Sequence, residues 1–197
     1  MNEMNPKTLL RGCVAAAFAT AFLVACSDSG NPERVLAARP AGGDFVLQGA
    51  AGPVDTKALR GNVLLVYFGY VNCPDVCPMS MAAGAAALNA LAPAERARTR
   101  MIMISVDPER DTPAKLREYV AYFHPAMTGA VGTPAETAVI AKSFGAGYVR
   151  QPTRPDGSYA VDHSSQTYVV GPDGKLMELL PLGIATEKVV AVVRKLL

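Results

Sequence analysis

The chain has 197 residues, of which 50% are hydrophobic and 18% are charged, and its formal net charge is +2 at neutral pH. A charge this close to zero argues against a nucleic-acid partner, because proteins that bind nucleic acids usually carry a pronounced excess of lysine and arginine. The length is sufficient for one domain with a substantial hydrophobic core.

The N-terminal segment has the pattern of a secretory signal peptide. A basic head that contains Lys7 and Arg11 precedes the uncharged run 14–25. This run is too short to span a bilayer, which requires about 20 apolar residues. The sequence LVAC, whose last residue is Cys26, resembles the lipobox of bacterial lipoproteins. An uncleaved short anchor and an ordinary signal peptide are the alternatives.

We therefore predict three segments. Residues 1–25 are a signal peptide, residues 26–43 are a lipidated N-terminus and tether that begins at Cys26, and residues 44–197 are the functional domain. The start of the tether is polar and contains glycine and proline, which suits a linker. The predicted location is the bacterial cell membrane, with a lipid anchor and with the domain facing the periplasm.

Strands and helices are predicted to alternate along the domain. The predicted strands are 45–47, 53–55, 63–70, 100–106, 166–170 and 175–180, and the predicted helices are 79–91, 115–123, one that starts after Thr133 and ends near Gly145, and 186–197. This order indicates an α/β domain with a mixed central sheet between helices. Because two cysteines follow the third of these strands, the pattern resembles a thioredoxin-like fold, here with an N-terminal β-hairpin extension.

Cys73 and Cys77 are the cysteines that remain in the predicted domain. A disulfide is permitted in an exported protein, but a bridge across so short a loop would constrain the unfolded chain little, which favours a chemical role. Pro74 and Pro78 predict that both cysteines lie on an irregular loop, with Pro78 at the first position of the next helix. The helix dipole is then expected to lower the pKa of both thiols, and both sulfurs are expected to be exposed.

Other side chains that bind metals in proteins have simpler interpretations here. His124 lies at a predicted helix end, where a histidine commonly interacts with the last carbonyl groups of the helix. Met79, Met81, Met101 and Met103 are predicted to pack in the core rather than to bind copper, because methionine fills irregular gaps.

His163 lies in the polar segment DHSS, between a predicted loop and a predicted strand. This context leaves a functional imidazole and an ordinary loop end equally open. Asp162 either accepts a hydrogen bond from the imidazole, as carboxylates do beside many metal-bound histidines, or points away from it. Asp107 follows the strand 100–106 and is predicted to lie at the same edge of the sheet as the two cysteines. It is a candidate contact for a partner, whereas Asp111 is explained as a helix cap.

Three collinear motifs resemble those of the Sco (SenC/PrrC-type) family. They are FGYVNCPDVCP at 68–78, SVDPERDTP at 105–113 and DHSSQTYVVGPDG at 162–174. The family comprises copper-handling proteins of the thioredoxin superfamily that take part in cytochrome c oxidase assembly. Val71 departs from the family pattern, which commonly has threonine at this position, and many family members keep a membrane-spanning helix in place of a lipidated cysteine.

The resemblance implies that Cys73, Cys77 and His163 bind one copper ion. Two thiolates select Cu(I) and an imidazole also suits Cu(II), whereas structural zinc usually takes four protein ligands. The implied function is a copper metallochaperone that delivers copper to the CuA-bearing subunit of cytochrome c oxidase. Other periplasmic copper carriers are further candidate partners.

A thiol–disulfide oxidoreductase, which would reduce the cysteines of the CuA site without carrying metal, is the alternative. Redox enzymes of this superfamily usually separate their cysteines by two residues, whereas three residues separate Cys73 and Cys77. The two roles are compatible in one protein, so an enzymatic activity stays open. A peroxidase would need one low-pKa cysteine, and the paired cysteines together with His163 disfavour it.

Overall fold

The structure is a computed structural model, and it describes residues 40–197. The predicted signal peptide, Cys26 and residues 26–39 of the predicted tether lie outside the described residues. None of the helices formed by residues 40–197 has the length and hydrophobicity needed to cross a membrane.

Strands and helices alternate along the described residues in the predicted α/β pattern. The strands are β1 (Val46–Gly49), β2 (Gly52–Asp55), β3 (Val63–Gly69), β4 (Thr99–Ser105), β5 (Met127–Ala130), β6 (Tyr148–Arg150), β7 (Val161–His163), β8 (Thr167–Val170) and β9 (Leu176–Leu180). The helices are α1 (Val76–Ala90), α2 (Pro93–Ala97), α3 (Pro113–Phe123), α4 (Pro134–Phe144) and α5 (Thr186–Leu196).

A five-stranded mixed sheet forms the centre of the domain, in the spatial order β5-β4-β3-β8-β9. The strands β3, β4 and β5 are parallel, β8 is antiparallel to β3, and β9 is antiparallel to β8. Every residue of β3 is buried, as expected for a Val- and Leu-rich strand whose two faces are both covered. This mixed sheet with its helices is the predicted thioredoxin-like fold.

The predicted N-terminal hairpin is present as the antiparallel pair β1 and β2. It is attached to the edge of the central sheet through Gln48 and Val131, because the N–H of each residue donates to the carbonyl of the other at 2.9 Å. Leu47, the neighbour of Gln48, is 2% exposed and joins the core. The hairpin is therefore part of the folded domain.

The predicted capping signals mark the starts of α3 and α4. Thr112 caps α3 by accepting a hydrogen bond from the N–H of the third helical residue, and Thr133 and Glu136 form a reciprocal capping box at α4. Gly145 ends α4 in the left-handed conformation, with φ of 69°. The expectation that Asp111 is the cap is wrong, because its buried carboxylate is bonded elsewhere.

The sequence pattern does not predict α2, β5, β6 or β7, which have five residues or fewer. The strands β6 and β7 form a separate two-stranded antiparallel sheet, in which Tyr148 lies opposite His163. A polar strand of three residues lacks the alternation from which strands are recognised. Tertiary contacts therefore place His163 on a strand, whereas the sequence placed it between a predicted loop and a predicted strand.

Three of the four methionines considered above pack as predicted. Met81, Met101 and Met103 are at most 1% exposed. The prediction is wrong for Met79, which is 52% exposed, because this part of α1 faces solvent.

Candidate metal centre

Cys73 and Cys77 lie at the carboxyl end of β3, where the chain turns into α1. Cys73 is partly exposed, Cys77 is fully buried, and neither thiol is in a disulfide. The helix begins at Val76, so Cys77 is its second residue and Pro78 its third. The expectation of an irregular, exposed loop is therefore wrong for Cys77. Pro78 is tolerated because the first N–H groups of a helix have no partner within it.

Burial dominates the acidity of Cys77. It raises the pKa of the thiol well above its ordinary value, although hydrogen bonds from the Tyr70 backbone and from the Tyr67 hydroxyl act in the opposite direction. The predicted lowering of this pKa is wrong, because a helix dipole usually contributes no more than about 1 kcal/mol and removing a charge from water costs more. Cys77 is thus a protonated thiol at neutral pH in the metal-free protein.

The imidazole of His163 lies between two tyrosine rings. Its centroid is 5.9 Å from that of Tyr67 and 5.7 Å from that of Tyr70, and both contacts are nearly perpendicular. Edge-to-face packing of this kind is favourable and fixes the plane of the ring. Burial lowers the pKa of His163, so the imidazole is neutral at neutral pH, which is the form that binds metals.

The two ring nitrogens of His163 have different partners. Nδ1 lies 3.1 Å from the carbonyl oxygen of Ser164, and because a carbonyl oxygen accepts hydrogen bonds only, Nδ1 carries the proton. Nε2 therefore presents its lone pair, and it lies 3.3 Å from Sγ of Cys77, whose S–H donates to it. The tautomer that metal binding through Nε2 requires is thus present in advance.

The structure brings the ligand atoms of Cys73, Cys77 and His163 within 4.8 Å of one another. Nitrogen and sulfur ligands at about 2.0–2.3 Å from a tetrahedral ion lie roughly 3.5 Å apart, so small side-chain movements suffice to enclose a metal. Within residues 40–197 no second group of three His, Cys, Asp or Glu ligands meets at comparable distances. Two sulfurs and one imidazole nitrogen form a donor set that suits copper.

Asp162, the neighbour of His163, points away from the imidazole. Its carboxylate accepts a hydrogen bond from the side chain of Gln151. The hydrogen bond of Nδ1 is made with the Ser164 carbonyl instead of with this carboxylate. Of the two orientations left open for Asp162, the structure has the one without imidazole contact.

Asp107 and His124 have structural partners within the domain. Asp107 is 3% exposed and accepts hydrogen bonds from Arg110 and from the Tyr159 hydroxyl, so its carboxylate is satisfied inside the domain, and its contact with an external partner stays a prediction. His124 is the C-terminal cap of α3, and its Nδ1 accepts the N–H of Ala126 at 3.0 Å. It lies outside the Cys–Cys–His group.

Sequence reasoning missed two residues of the site, Tyr67 and Gly69. The Tyr67 hydroxyl lies 3.9 Å from Sγ of Cys77, within range of a weak O–H···S hydrogen bond. A Cβ atom at Gly69 would lie 2.7 Å from the same sulfur and 2.7 Å from the Tyr67 ring. A glycine inside a strand of large apolar residues is a signal for such a close approach.

Comparison with known proteins agrees with this geometry. The SCO1/SenC family model matches residues 34–197. Protein SCO2 homolog, mitochondrial, of Bos taurus is 35% identical over 155 residues, which are 78% of this chain and 58% of that protein. Protein SCO1 homolog 1, mitochondrial, of Arabidopsis thaliana is 38% identical over 133 residues, which are 67% of this chain and 40% of that protein. The chain thus spans about half the length of these relatives.

Solved structures with the same fold include apo Sco1 of Thermus thermophilus, with a TM-score of 0.73, 38% identity and coverage of 81% of this chain and 94% of that chain. Bradyrhizobium japonicum ScoI with copper bound has a TM-score of 0.73 and 36% identity, and the match covers 79% of this chain and 99% of that chain. BsSco, described with a disulfide switch and as a member of the Sco family of cytochrome c oxidase assembly proteins, has a TM-score of 0.63, 28% identity and coverage of 80% and 94%. These matches confirm the resemblance drawn from the three sequence motifs, and the chain belongs to the SCO1/SenC family.

Proposed function

We propose that this protein is a membrane-anchored copper metallochaperone of cytochrome c oxidase assembly. One copper ion binds Cys73, Cys77 and His163 and is delivered to the CuA centre of an oxidase subunit. The observation that carries this proposal is the convergence of two thiols and a suitably protonated imidazole within 4.8 Å. The copper-bound relative ScoI and the assembly role stated for the family of BsSco support it.

The donor set favours copper over other common metals. Calcium and magnesium take oxygen ligands, and the group here consists of sulfur and nitrogen. Structural zinc usually takes four protein ligands, whereas this group supplies three. Thiolates bind Cu(I) strongly and imidazole also suits Cu(II), so the site is chemically suited to both oxidation states.

Delivery requires that copper can leave without being released into water. Three protein ligands leave a coordination position at which a ligand of the acceptor can bind before the donor ligands dissociate. Cys73 is partly exposed, whereas Cys77 is buried, so the acceptor approaches from the side of Cys73. The proposed acceptor is the CuA-bearing subunit of the oxidase, and other periplasmic copper carriers are proposed as donors of copper to this protein.

The proposed anchor is a lipid on Cys26 that holds the domain at the periplasmic face of the cell membrane. The support is the signal-peptide pattern and the LVAC sequence. In bacterial cells, Cys26→Ala is expected to move the protein from the membrane fraction to the soluble periplasmic fraction. Retention of the variant in the membrane would contradict lipid anchoring.

Copper titration of the reduced protein tests the binding site. Each of Cys73→Ala, Cys77→Ala and His163→Ala is expected to weaken copper binding, by about tenfold or more for the loss of one ligand. His124→Ala is the matched control, because His124 lies outside the group, and its affinity is expected to equal that of the wild type. Unchanged affinity in all three ligand variants would refute the proposed site.

Transfer to an apo CuA domain tests the delivery step. Copper-loaded protein is mixed with that domain, and the appearance of the CuA absorption spectrum is followed over time. The copper-loaded wild type is expected to metallate the domain, whereas Cys73→Ala is expected to do so poorly. A wild-type protein that keeps its copper in the presence of excess apo domain would contradict delivery.

The second candidate function is reduction of the CuA cysteines by the Cys73–Cys77 pair. The observation that favours it is that both thiols are free and lie close together. His163→Ala separates the two functions, because a dithiol reductase does not need an imidazole ligand. If His163→Ala reduces the CuA cysteines as fast as the wild type but no longer binds copper, reduction is assigned to the cysteine pair alone.

A further inference from the structure

His163 does not belong to the central sheet. It lies on the two-stranded sheet of β6 and β7, and the segment 151–160 that connects these strands contains no helix or strand. The distance between the imidazole and the cysteines therefore depends on contacts between this hairpin and the central sheet, as well as on the short link 164–166 that joins β7 to β8.

Tyr159, in the connecting segment, is held at both ends by the loop that follows β4. Its hydroxyl donates to Oδ1 of Asp107 at 2.7 Å, and its carbonyl accepts from Nη1 of Arg110 at 2.9 Å. The guanidinium carbon of Arg110 lies 3.6 Å from the centroid of the Tyr159 ring, a close cation–π contact. Arg110 also donates through Nε to the buried Asp107. We call Asp107, Arg110 and Tyr159 the arginine clamp.

The arginine clamp reaches the imidazole through Tyr70. The guanidinium carbon of Arg110 lies 5.6 Å from the centroid of the Tyr70 ring. The Tyr70 hydroxyl accepts the N–H of Val161 at 3.2 Å, and its ring packs edge-on against the imidazole of His163. Movement of Arg110 is thereby coupled to the strand that carries the histidine.

The same loop after β4 also contacts the cysteine segment. Asp111 follows Arg110, and its Oδ2 accepts the N–H of Val71 at 3.2 Å and the hydroxyl of Ser105 at 2.6 Å. Val71 lies two residues before Cys73. One loop therefore holds both chain segments that supply the proposed ligands.

We infer that the arginine clamp is a positioning device for His163 and that it controls how strongly the site binds Cu(II) relative to Cu(I). This inference rests on the proposed copper-binding function. Two thiolates alone suit Cu(I), whereas Cu(II) gains from an imidazole ligand. A loosened hairpin reduces the fraction of time that Nε2 spends beside the sulfurs, so it weakens the binding of Cu(II) more than that of Cu(I).

Two variants of the full chain break the arginine clamp from opposite sides. Asp107→Asn/Arg110→Met removes both charges of the buried pair together, so no unpaired charge is left inside the protein. Tyr159→Leu leaves that pair intact, and it decides the question if the double variant does not fold. Arg194→Met is the matched control, because Arg194 forms an ion pair with Glu95 outside the clamp.

The first measurement uses metal-free protein. The amide of Val161 is expected to exchange its hydrogen about tenfold faster in either clamp variant, which is the change expected for the loss of one or two partly buried hydrogen bonds. The exchange rate in Arg194→Met is expected to equal that of the wild type. The second measurement is copper titration, in which the Kd for Cu(II) is expected to rise about tenfold in the clamp variants and the Kd for Cu(I) by less than about threefold.

The outcomes are distinct. Unchanged exchange at Val161 and unchanged affinity for Cu(II) in a folded clamp variant would overturn the positioning role. Equal losses of affinity for the two oxidation states would overturn the control of their relative binding. A wild-type protein that binds no copper would refute the proposed function, and the exchange measurement would still decide whether the clamp holds the hairpin.

Discussion

The hydroxyl of Tyr67 and the sulfur of Cys77 lie 3.9 Å apart in the fully buried part of the site. This hydroxyl acts to lower the pKa of Cys77 against the larger effect of burial. Tyr67→Phe is therefore expected to raise that pKa further and to slow alkylation of Cys77 by about fivefold, the value of one modest hydrogen bond. The rate is measured with iodoacetamide in a Cys73→Ser background.

Tyr122→Phe is the control for this experiment, because Tyr122 is 86% exposed. The alkylation rate of Cys77 in this variant is expected to match that in the parent protein. Faster alkylation after Tyr67→Phe would contradict the assigned direction of the hydrogen bond.

Copper affinity is expected to rise with pH. Burial raises the pKa of Cys77, so at neutral pH copper must displace its proton, and each displaced proton changes the apparent Kd about tenfold per pH unit. Burial lowers the pKa of His163, so the imidazole is already neutral at neutral pH and releases no proton when copper binds. Competition with a chelator of known affinity between pH 6 and pH 8 measures the slope.

The logarithm of the apparent Kd is expected to fall by at least about one per pH unit in the wild type. Cys77→Ser, which removes this thiol, is expected to reduce the slope by about one. A wild-type affinity that does not depend on pH over this range would show that Cys77 is already ionised or does not bind copper.

Gly69→Ala is expected to displace Cys77. The added Cβ would meet the sulfur of Cys77 and the ring of Tyr67 at 2.7 Å, and overpacking of a buried site typically costs about 1–3 kcal/mol. We expect a lower free energy of unfolding and at least about tenfold weaker copper binding, since the ligand atom itself moves. Urea denaturation and copper titration measure the two effects.

Gly147→Ala is the matched control, because a Cβ atom at Gly147 has no neighbour within 4 Å. Both its stability and its affinity are expected to stay close to those of the wild type. Equal behaviour of Gly69→Ala and Gly147→Ala would mean that the site relaxes around the added methyl group.

Asp111 is expected to make stability depend on pH. Burial raises the pKa of this carboxyl above its unfolded value of 3.8, so its contribution to stability is present below that value and is lost as the pH rises through the folded pKa. Asn does not titrate, so the free energy of unfolding of Asp111→Asn relative to the wild type is expected to improve from pH 4 to pH 7. Urea denaturation at several pH values measures the difference.

Asp173→Asn is the control, because the pKa of Asp173 is shifted in the direction opposite to that of Asp111. A hydrogen bond from Lys175 lowers the pKa of Asp173, so the contribution of this residue is present at neutral pH and is lost as the pH falls. Because the folded pKa of Asp173 lies below the unfolded value of 3.8, this loss begins only below about pH 3.8, and the deficit of Asp173→Asn is expected to stay nearly constant between pH 7 and pH 4. The same pH trend in both variants would contradict the assignment for Asp111.

The sequence predicts the central fold well because its signals are local. The strand β3 is a continuous apolar run, and α3 and α4 begin at Thr112 and Thr133, each of which is followed by proline. The short strands β6 and β7 lack such signals. Their pairing depends on contacts between segments that are far apart in the chain, and these contacts are visible only in the folded structure.

The candidate site is predictable in composition but not in environment. Residue type and spacing indicate the cysteine pair, and the family resemblance adds His163. No local pattern predicts that Cys77 is buried within α1, which reverses the expected shift of its pKa. The role of Arg110 is equally hidden, because its partner Tyr159 lies 49 positions away.

The N-terminal hairpin has a consequence beyond the metal centre. The outer strand β5 presents backbone groups at the edge of the sheet, and Gln48 engages the residue that follows this strand, Val131. Uncovered strand edges pair readily with one another and promote self-association. A protein shortened to begin after Asp55 would lose this cover, so aggregation, rather than loss of copper chemistry, is the expected first defect of such a truncation.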